Sequence, residues 1–276
     1  MSSSQIGVEC LSKLLSAHDV KIIDGSWALD GTDMKASFLT AHITTAQFFD
    51  IEAIRDHNID LPHMAPSPAK FAEAMGEMGI SETDHVVIYD QQGLFSAARV
   101  WWTFKLMGHA KVQVLKGGFP AWQAADQPVT EDIHSPRQAA YRPDFQDRMV
   151  IGMDEIIAGL DHDQFMIFDA RPRARFHGLV PEPRAGLRGG HIPQSHSLPY
   201  TELITEGQLK SKDELHAIFA QTGLTPDKTV VTTCGSGVTA AILAFALSEI
   251  GHEKVRLYDG SWAQWGQEQL STPISI

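Results

Sequence analysis

Thr229 to Ala240 reads TVVTTCGSGVTA, an apolar β-branched run followed by a cysteine, a glycine-rich loop and the start of a long apolar segment. The run is typical of a buried strand, and the segment after the loop is typical of a helix. Gly235 and Gly237 let the backbone curl around the sulfur of Cys234, toward which the first amides of the helix point. A helix N-terminus in general lowers the pKa of a cysteine thiol from ~8.5 to as little as ~3.5. The stretch therefore predicts a nucleophilic thiolate between a strand and a helix, with a buried inert cysteine as the alternative.

Composition restricts the classes of protein to consider. The chain has 276 residues, of which 43% are hydrophobic, and this length suits about two domains. Its two cysteines, Cys10 and Cys234, argue against a disulfide framework and for a reducing compartment. The N-terminus lacks a signal-peptide pattern, and no apolar run is long enough to span a bilayer. We expect a soluble, cytoplasmic protein without a membrane partner, and the net charge of −12 disfavours nucleic acid as a partner.

The chain repeats one order of motifs. The segment from Phe71 to Trp122 contains a helical pattern, a strand ending at Asp90, a glycine loop, an apolar helix, Met-Gly-His and a Gly-Gly-Phe-Pro-Ala-Trp motif. The segment from Leu215 to Trp265 repeats this order, with Ile-Gly-His and Gly-Ser-Trp at the corresponding places. Two copies of one domain explain the repetition.

The two copies define the predicted domains. Residues 126–147 carry three prolines among polar residues without a helical or strand period, which indicates a linker. The predicted domains are therefore residues 1–125 and 148–276. In each, short β-branched runs alternate with helical segments, so we expect an α/β fold with a mainly parallel sheet flanked by helices. The ligand crevice of such sheets lies at the carboxyl ends of the strands, where Cys234 falls.

The copies differ where the chemistry is expected. Asp90 aligns with Cys234, in a loop one residue longer, so the first copy has no thiol at this position. Asp90 could be a ligand, but a solvated or capping aspartate at the end of a strand is the favoured interpretation.

Together these residues resemble the tandem rhodanese-like sulfurtransferases over nearly the whole chain. That family shares the duplication, with the cysteine only in the second copy. The loop Cys-Gly-Ser-Gly-Val-Thr-Ala, the motif Gly190-His191-Ile192-Pro193 and the final Gly-Ser-Trp carry the likeness. Cys10 has no part in the pattern and is expected in the core of the first helix. The resemblance implies two rhodanese-like domains, the second of them catalytic.

The resemblance also implies a donor. Thiosulfate-preferring members typically carry Arg and Lys directly after the cysteine, whereas Gly235 and Ser236 are neutral, as in members that use 3-mercaptopyruvate. Arg175 and Arg184 match the arginines that bind the carboxylate of this substrate, and guanidinium groups suit planar carboxylates. Without the family, a solvated basic loop paired with Glu182 is the simpler interpretation. The loop residues expected to hold the donor and its sulfur are Gly235, Gly237, Val238 and Thr239, whereas Arg171 and Arg173 are expected to be structural or surface charges.

A proton relay is implied in the same way. It runs from Cys234 through Ser236 to a histidine and an acid of the first copy, which match His63 and Glu52. Some members carry Asp at the acidic position, so the geometry of the longer Glu52 is open. Residue chemistry alone makes His63 a surface histidine and His191 an anchor of its loop.

The implied reaction is covalent sulfur transfer in two halves. The thiolate takes sulfur from 3-mercaptopyruvate as a persulfide and releases pyruvate, and a thiol acceptor such as thioredoxin, or cyanide, then removes the sulfur. Neither a metal nor a cofactor is expected. The alternatives are a thiosulfate sulfurtransferase and a non-catalytic binding module. A phosphatase of this fold would need arginine at position 240, where the chain has Ala240.

Overall fold

The computed structural model describes residues 3–160 and 165–276. Two compact units are present. Unit 1 contains the residues up to Asp56, Ala65–Gln146 and Glu206–Leu209, and unit 2 contains His57–Met64, Asp147–Thr205 and Lys210–Ile276. Each unit therefore includes a short segment from the other half of the sequence. In the part of the chain that the structure describes, no helix has both the length and the apolar character needed to cross a membrane.

Unit 1 is built on a five-stranded sheet in the order β1-β6-β5-β2-β4, in which each neighbouring pair is parallel. A short antiparallel pair, β3 with β7, lies outside this sheet. The elements in chain order are β1 Gln5–Ile6, α1 Val8–Leu14, β2 Val20–Asp24, α2 Met34–Thr40, β3 His42–Ile43, β4 Gln47–Phe48, α3 Ile51–Ile54, α4 Pro68–Glu77, β5 His85–Tyr89, α5 Ala97–Leu106, β6 Val112–Leu115, α6 Gly118–Ala124 and β7 Val129–Thr130.

Unit 2 is built on a four-stranded parallel sheet in the order β13-β12-β8-β9. Val150 adds a parallel bridge to Leu257, at the position that β1 takes beside β6 in unit 1. The elements from residue 147 onward are a 3-10 turn Asp147–Met149, α7 Met153–Leu160, β8 Phe165–Asp169, α8 Arg173–Phe176, β9 His196–Ser197, a 3-10 turn Tyr200–Leu203, β10 Ile204–Thr205, β11 Gln208–Leu209, α9 Lys212–Gln221, β12 Thr229–Thr233, α10 Ala240–Glu249, β13 Val255–Leu257 and α11 Ser261–Trp265.

The two sheets follow one topology, which confirms the predicted fold of two α/β domains with parallel sheets. In unit 1 β2 and β5 pair over five residues, and β8 and β12 pair in the same way in unit 2. Both central strands, β5 and β12, have buried side chains at four of five positions. The helices that follow them, α5 and α10, are buried on nearly all sides. Such all-round burial explains the apolar sequences of these helices, since no face meets water.

The prediction for Cys10 was wrong. Cys10 lies in α1 but is exposed, because the helix turns Leu11 into the core and Cys10 faces outward. The C-terminal residues from Gln267 onward are hydrogen-bonded to other parts of unit 2. Ser275 forms a reciprocal backbone pair with His191, and Arg188 donates to the Thr272 carbonyl.

Most of the predicted linker, residues 126–146, belongs to unit 1. Its strand β7 pairs with β3, and Tyr141 lies buried against the ring of Phe71. Asp144 and Gln146 donate backbone N–H groups to the end of α5. A segment without a regular period therefore follows the surface of one unit through specific hydrogen bonds.

Candidate active site

Cys234 follows β12 directly, at the carboxyl edge of the sheet of unit 2. Its backbone N–H donates to Ser261 Oγ at 3.3 Å, and its carbonyl accepts the N–H of Trp262 at 2.9 Å. The residue is 2% exposed. Because both backbone groups are bonded to the start of α11, the cysteine is held in one position between β12 and α10.

The loop after Cys234 turns through Gly237, whose φ of +81° belongs to the left-handed region that favours glycine. The carbonyl of Gly235 accepts the N–H of Ala263 at 2.9 Å, which adds a second bond from α11. Within the described parts of the chain, the amides of Ser236, Val238 and Thr239 donate to no backbone carbonyl. An anion at the sulfur of Cys234 would find these donors at the start of a ten-residue helix.

Arg175 lies against this loop. A methyl group on Gly235 would meet Nη2 of Arg175 at 3.1 Å and Nη1 at 3.7 Å, so the outer edge of the guanidinium faces the loop. Glu182 binds the other edge, with its oxygens 3.2 Å from Nε and 2.5 Å from Nη2. Arg175, which was predicted to bind the donor carboxylate, thus lies directly beside the cysteine loop, and the pairing with Glu182 that residue chemistry alone suggested is also present.

A second arginine, Arg171, binds the same glutamate. Arg171 is fully buried, pairs with Asp169 at 2.7 Å and Glu182 at 3.0 Å, and stacks on Trp262 at 4.3 Å. Burial acts to lower the pKa of Arg171, but Asp169, Glu182 and Cys234 outweigh it and hold the pKa above its usual value. Arg173 is exposed and pairs with Glu202. Their predicted roles as structural and surface charges are confirmed.

His63 and Arg184 meet within unit 2. Nη2 of Arg184 donates to Nε2 of His63 at 3.1 Å. Since a guanidinium has no acceptor, this bond assigns the histidine proton to Nδ1. His63 is buried with a left-handed φ of +58°, which places a constrained non-glycine residue at the site. The expectation of a surface histidine from residue chemistry alone is wrong.

Arg184 also borders an open cavity of about 270 Å³ in unit 2. Polar side chains share its wall with small and apolar ones, and the lining residues are Asp60, Leu61, Pro62, Arg184, Ala185, Gly186, Leu187, Ala263, Gln267 and Gln269. Ala263 is the residue whose amide binds the Gly235 carbonyl. Ala263 therefore both lines the cavity and is hydrogen-bonded to the cysteine loop.

The remaining predicted residues differ in their surroundings. Ser236 is buried in the loop, two residues after the cysteine. Glu52 lies in α3 of unit 1, where it is exposed and pairs with Arg55 at 3.5 Å. His191 donates Nδ1–H to the Phe176 carbonyl and stacks on that ring, so its predicted anchoring role is confirmed. The relay from Cys234 through Ser236 and His63 to Glu52 stays a prediction.

Sequence reasoning missed Ser261, which binds the amide of the cysteine. Its Oγ–H donates to the Tyr258 carbonyl at 2.8 Å, and its φ of +47° is left-handed. Ser261 stands in the repeated motif near the end of each copy, where Gly118 is the counterpart with φ of +55°. A glycine in one copy and a serine in the other is the signal that could have identified it.

Comparisons with known proteins show what the two halves of the chain resemble. A model of the rhodanese-like domain matches residues 7–125 and again residues 153–268. The chain is 40% identical over 264 residues to the 3-mercaptopyruvate sulfurtransferase of Escherichia coli (strain K12), a match that covers 95% of this chain and 94% of that protein. It is 36% identical over 291 residues to thiosulfate/3-mercaptopyruvate sulfurtransferase 1, mitochondrial, of Arabidopsis thaliana, covering 97% of this chain and 77% of that one.

A solved structure shows the same architecture. The crystal structure of SseA from Escherichia coli, described with the rhodanese fold and mechanism of 3-mercaptopyruvate sulfotransferases, superposes with a TM-score of 0.87 at 39% identity. The superposition covers 95% of this chain and 99% of that one. Likeness in sequence and in structure therefore extends over both copies.

Proposed function

The chain belongs to the rhodanese-like family, and we propose that it is a sulfurtransferase that takes sulfur from 3-mercaptopyruvate onto Cys234. The observation that carries the donor is the neutral loop with Arg175 at its edge: Gly235 has no side chain, and the guanidinium fills the space beside it. In 3-mercaptopyruvate the sulfur is three bonds from the carboxyl carbon, so a carboxylate held by Arg175 can place the sulfur at the cysteine. The relatives from Escherichia coli and Arabidopsis thaliana carry this donor in their names, which supports the proposal.

The first half-reaction uses Cys234 as the nucleophile. Its thiolate attacks the sulfur of mercaptopyruvate, an S–S bond forms, and the C–S bond breaks. The electron pair of that bond stays on the carbon of the leaving pyruvate enolate, which takes up the thiol proton to give pyruvate. The enzyme is left as a persulfide anion. Amides of Ser236, Val238 and Thr239 would stabilise this charge, and Gly237 provides the turn that gathers them.

Arg175 and Arg184 would bind the donor carboxylate, while His63 and Ser236 would carry the proton. The bond from Arg184 leaves Nε2 of His63 as the acceptor and Nδ1 as the atom that carries the proton. We propose Glu52 as the acid that orients His63, on the basis of the family resemblance. Its pairing with Arg55 would then have to be exchanged for the histidine.

In the second half-reaction an acceptor attacks the outer sulfur and restores the Cys234 thiolate. We propose a thiol, with thioredoxin as a protein example, or cyanide. In this assignment residues 148–276 are the catalytic domain, residues 1–125 the copy without a cysteine, and residues 126–147 the linker. The cytoplasmic location stays a prediction from cysteine content. No metal or cofactor has a step in the reaction.

A second donor has specific support. The Arabidopsis thaliana relative is named for both thiosulfate and 3-mercaptopyruvate. Thiosulfate is a dianion, and its charge suits a loop with more positive charge than Gly235 and Ser236 supply. We propose it as the slower donor.

Mass spectrometry tests the proposal. The reduced protein is incubated with 3-mercaptopyruvate, and the peptide that contains Cys234 is examined while pyruvate is assayed. We expect a gain of one sulfur on that peptide and a matching amount of pyruvate, neither of which forms with Cys234→Ser. Pyruvate release that is unchanged in Cys234→Ser would contradict the proposal. A higher kcat/KM for thiosulfate than for mercaptopyruvate would reverse the order of the donors.

A further inference from the structure

Glu182 is a buried carboxylate between two arginines of the site. Its side chain is 1% exposed, and its oxygens bind Arg171 Nη1 at 3.0 Å and Arg175 Nη2 at 2.5 Å. Carboxylates are almost never fully buried unless they are paired. Glu182 is held by Arg175, which lies beside the cysteine loop, and by the buried Arg171.

The bonds to Glu182 divide the donors of Arg175. A guanidinium has five N–H groups, and Glu182 takes the Nε–H and one of the Nη2–H groups. The donors of Nη1 and the second one of Nη2 remain on the edge that faces Gly235. Glu182 therefore fixes the plane of the guanidinium and selects which of its donors face the loop.

Glu182 also balances the local charge. Two carboxylates, Asp169 and Glu182, face two guanidinium groups, Arg171 and Arg175, so this cluster sums to zero. The side chains are 0 to 1% exposed except that of Arg175, which is 16% exposed. In such surroundings water screens charge poorly, so the loss of one carboxylate would leave a net positive charge beside the loop.

We propose that Glu182 is a positioning residue for Arg175 that also determines donor specificity, by keeping the cluster neutral and thereby disfavouring a dianionic donor. This inference rests on the proposed function, since it concerns the choice between two sulfur donors. A positive charge attracts a dianion more strongly than a monoanion. Removal of the Glu182 charge therefore favours thiosulfate over mercaptopyruvate.

The test measures kcat and KM for both donors in three variants. Glu182→Gln keeps the shape but removes the charge and places an amide donor against a guanidinium. We expect kcat/KM for mercaptopyruvate to fall about tenfold or more, and the thiosulfate to mercaptopyruvate ratio of kcat/KM to rise at least about tenfold. Glu182→Asp keeps the charge but shortens the reach. It should raise KM for mercaptopyruvate more than it lowers kcat, with the donor ratio close to that of the unaltered protein.

Glu202→Gln is the matched control, because Glu202 pairs at the surface with Arg173, which lies in the same short helix as Arg175. We expect it to change neither the ratio nor KM. An equal ratio in Glu182→Gln and Glu202→Gln would overturn the inference, and so would an equal rise in Glu182→Gln and Glu182→Asp. If Glu182→Gln does not fold, Glu182→Asp decides, and an unchanged KM for mercaptopyruvate overturns the inference. Failure of the unaltered protein to release pyruvate is a separate result, which refutes the proposed function.

Discussion

The loops after β5 and β12 begin at the same place in their sheets and differ in the side chain at their first position. Asp90 follows β5 as Cys234 follows β12, and the next helices begin at Ala97 and Ala240. In unit 1 the Asp90 carboxylate accepts three loop amides, at 2.9 Å from Gln92, 2.7 Å from Phe95 and 2.8 Å from Ala97. Asp90 is therefore a buried cap of its own loop, so the capping interpretation is confirmed and the solvated one is wrong.

The difference shows two uses of one backbone arrangement. Burial raises the pKa of Asp90, while the loop amides act to lower it, so a carboxylate there depends on those amides. In unit 2, under the proposed function, the amides of Ser236, Val238 and Thr239 would face an anion on the cysteine sulfur. The first copy thus shows that such a loop can hold a negative charge, and the proposed function places that charge on a reactive sulfur in the second copy.

Replacing Cys234 by aspartate should have the largest effect. The carboxylate would take the loop amides of unit 2 as Asp90 does in unit 1, and no persulfide could form. We expect turnover with mercaptopyruvate to fall by at least about 10⁴-fold, because the nucleophile is gone. The free energy of unfolding, measured by urea denaturation, should stay within about 1 kcal/mol of that of Cys234→Ser. A Cys234→Asp protein several kcal/mol less stable than Cys234→Ser would show that the two loops are not equivalent.

Asp90→Ala tests the corresponding loop of unit 1. Three buried N–H groups would lose their acceptor, at about 1 to 3 kcal/mol each, so the free energy of unfolding of unit 1 should fall by about 4 kcal/mol. Differential scanning calorimetry would show this as an unfolding transition of unit 1 at a lower temperature. Asp50→Ala is the control, since Asp50 caps α3 at the surface and accepts two amides there. Its loss should cost about 1 kcal/mol, and an equal cost for both variants would count against a special role of the Asp90 loop.

The features that could be predicted from the sequence are those that depend on local residue patterns. The strands, the cysteine loop, the duplication and the arginine segment all follow from residues close together in sequence. The exposure of Cys10 was missed because composition does not say which face of a short helix is buried. Unit 1 also includes Glu206–Leu209, and a methyl group on Gly93 would lie 2.7 Å from the Gly207 carbonyl oxygen. Such packing between distant residues leaves no periodic signal, and the same holds for Glu182 between its two arginines.

Gly118 and Ser261 give a smaller and reciprocal test. A side chain on Gly118 would place Cβ 2.5 Å from the Asp90 carbonyl oxygen, so Gly118→Ser should destabilise unit 1 by about 3 kcal/mol. Ser261→Gly relieves a left-handed φ, a gain of about 1 kcal/mol, but removes the bonds of the hydroxyl to the Cys234 amide and the Tyr258 carbonyl, at about 1 kcal/mol each. It should therefore destabilise unit 2 by only about 1 kcal/mol. Turnover should still fall severalfold, because the cysteine backbone loses one support.

Gly7→Ser is the control for these variants, because Gly7 has space around it and a φ of −83° at the N-cap of α1. It should be neutral or slightly stabilising, as measured by urea denaturation. A similar cost for Gly7→Ser and Gly118→Ser would remove the close approach to Asp90 as the cause.

The smallest effect concerns the histidine that follows each apolar helix. His109 donates Nε2–H to the Asp84 carbonyl and accepts the Tyr141 hydroxyl at Nδ1, whereas His252 is half-buried and donates to the Lys228 carbonyl. Burial lowers the pKa of both. A lowered pKa means stability that is present above the unfolded value near 6.5 and is lost as the pH falls. His109→Gln should cost about 1 kcal/mol at pH 7.5, and the difference in urea midpoint from the unaltered protein should narrow toward pH 5. His252→Gln should show the same trend more weakly, since water already reaches that ring. If the difference in urea midpoint between His109→Gln and the unaltered protein widened on acidification, the assignment of a neutral buried histidine would be contradicted.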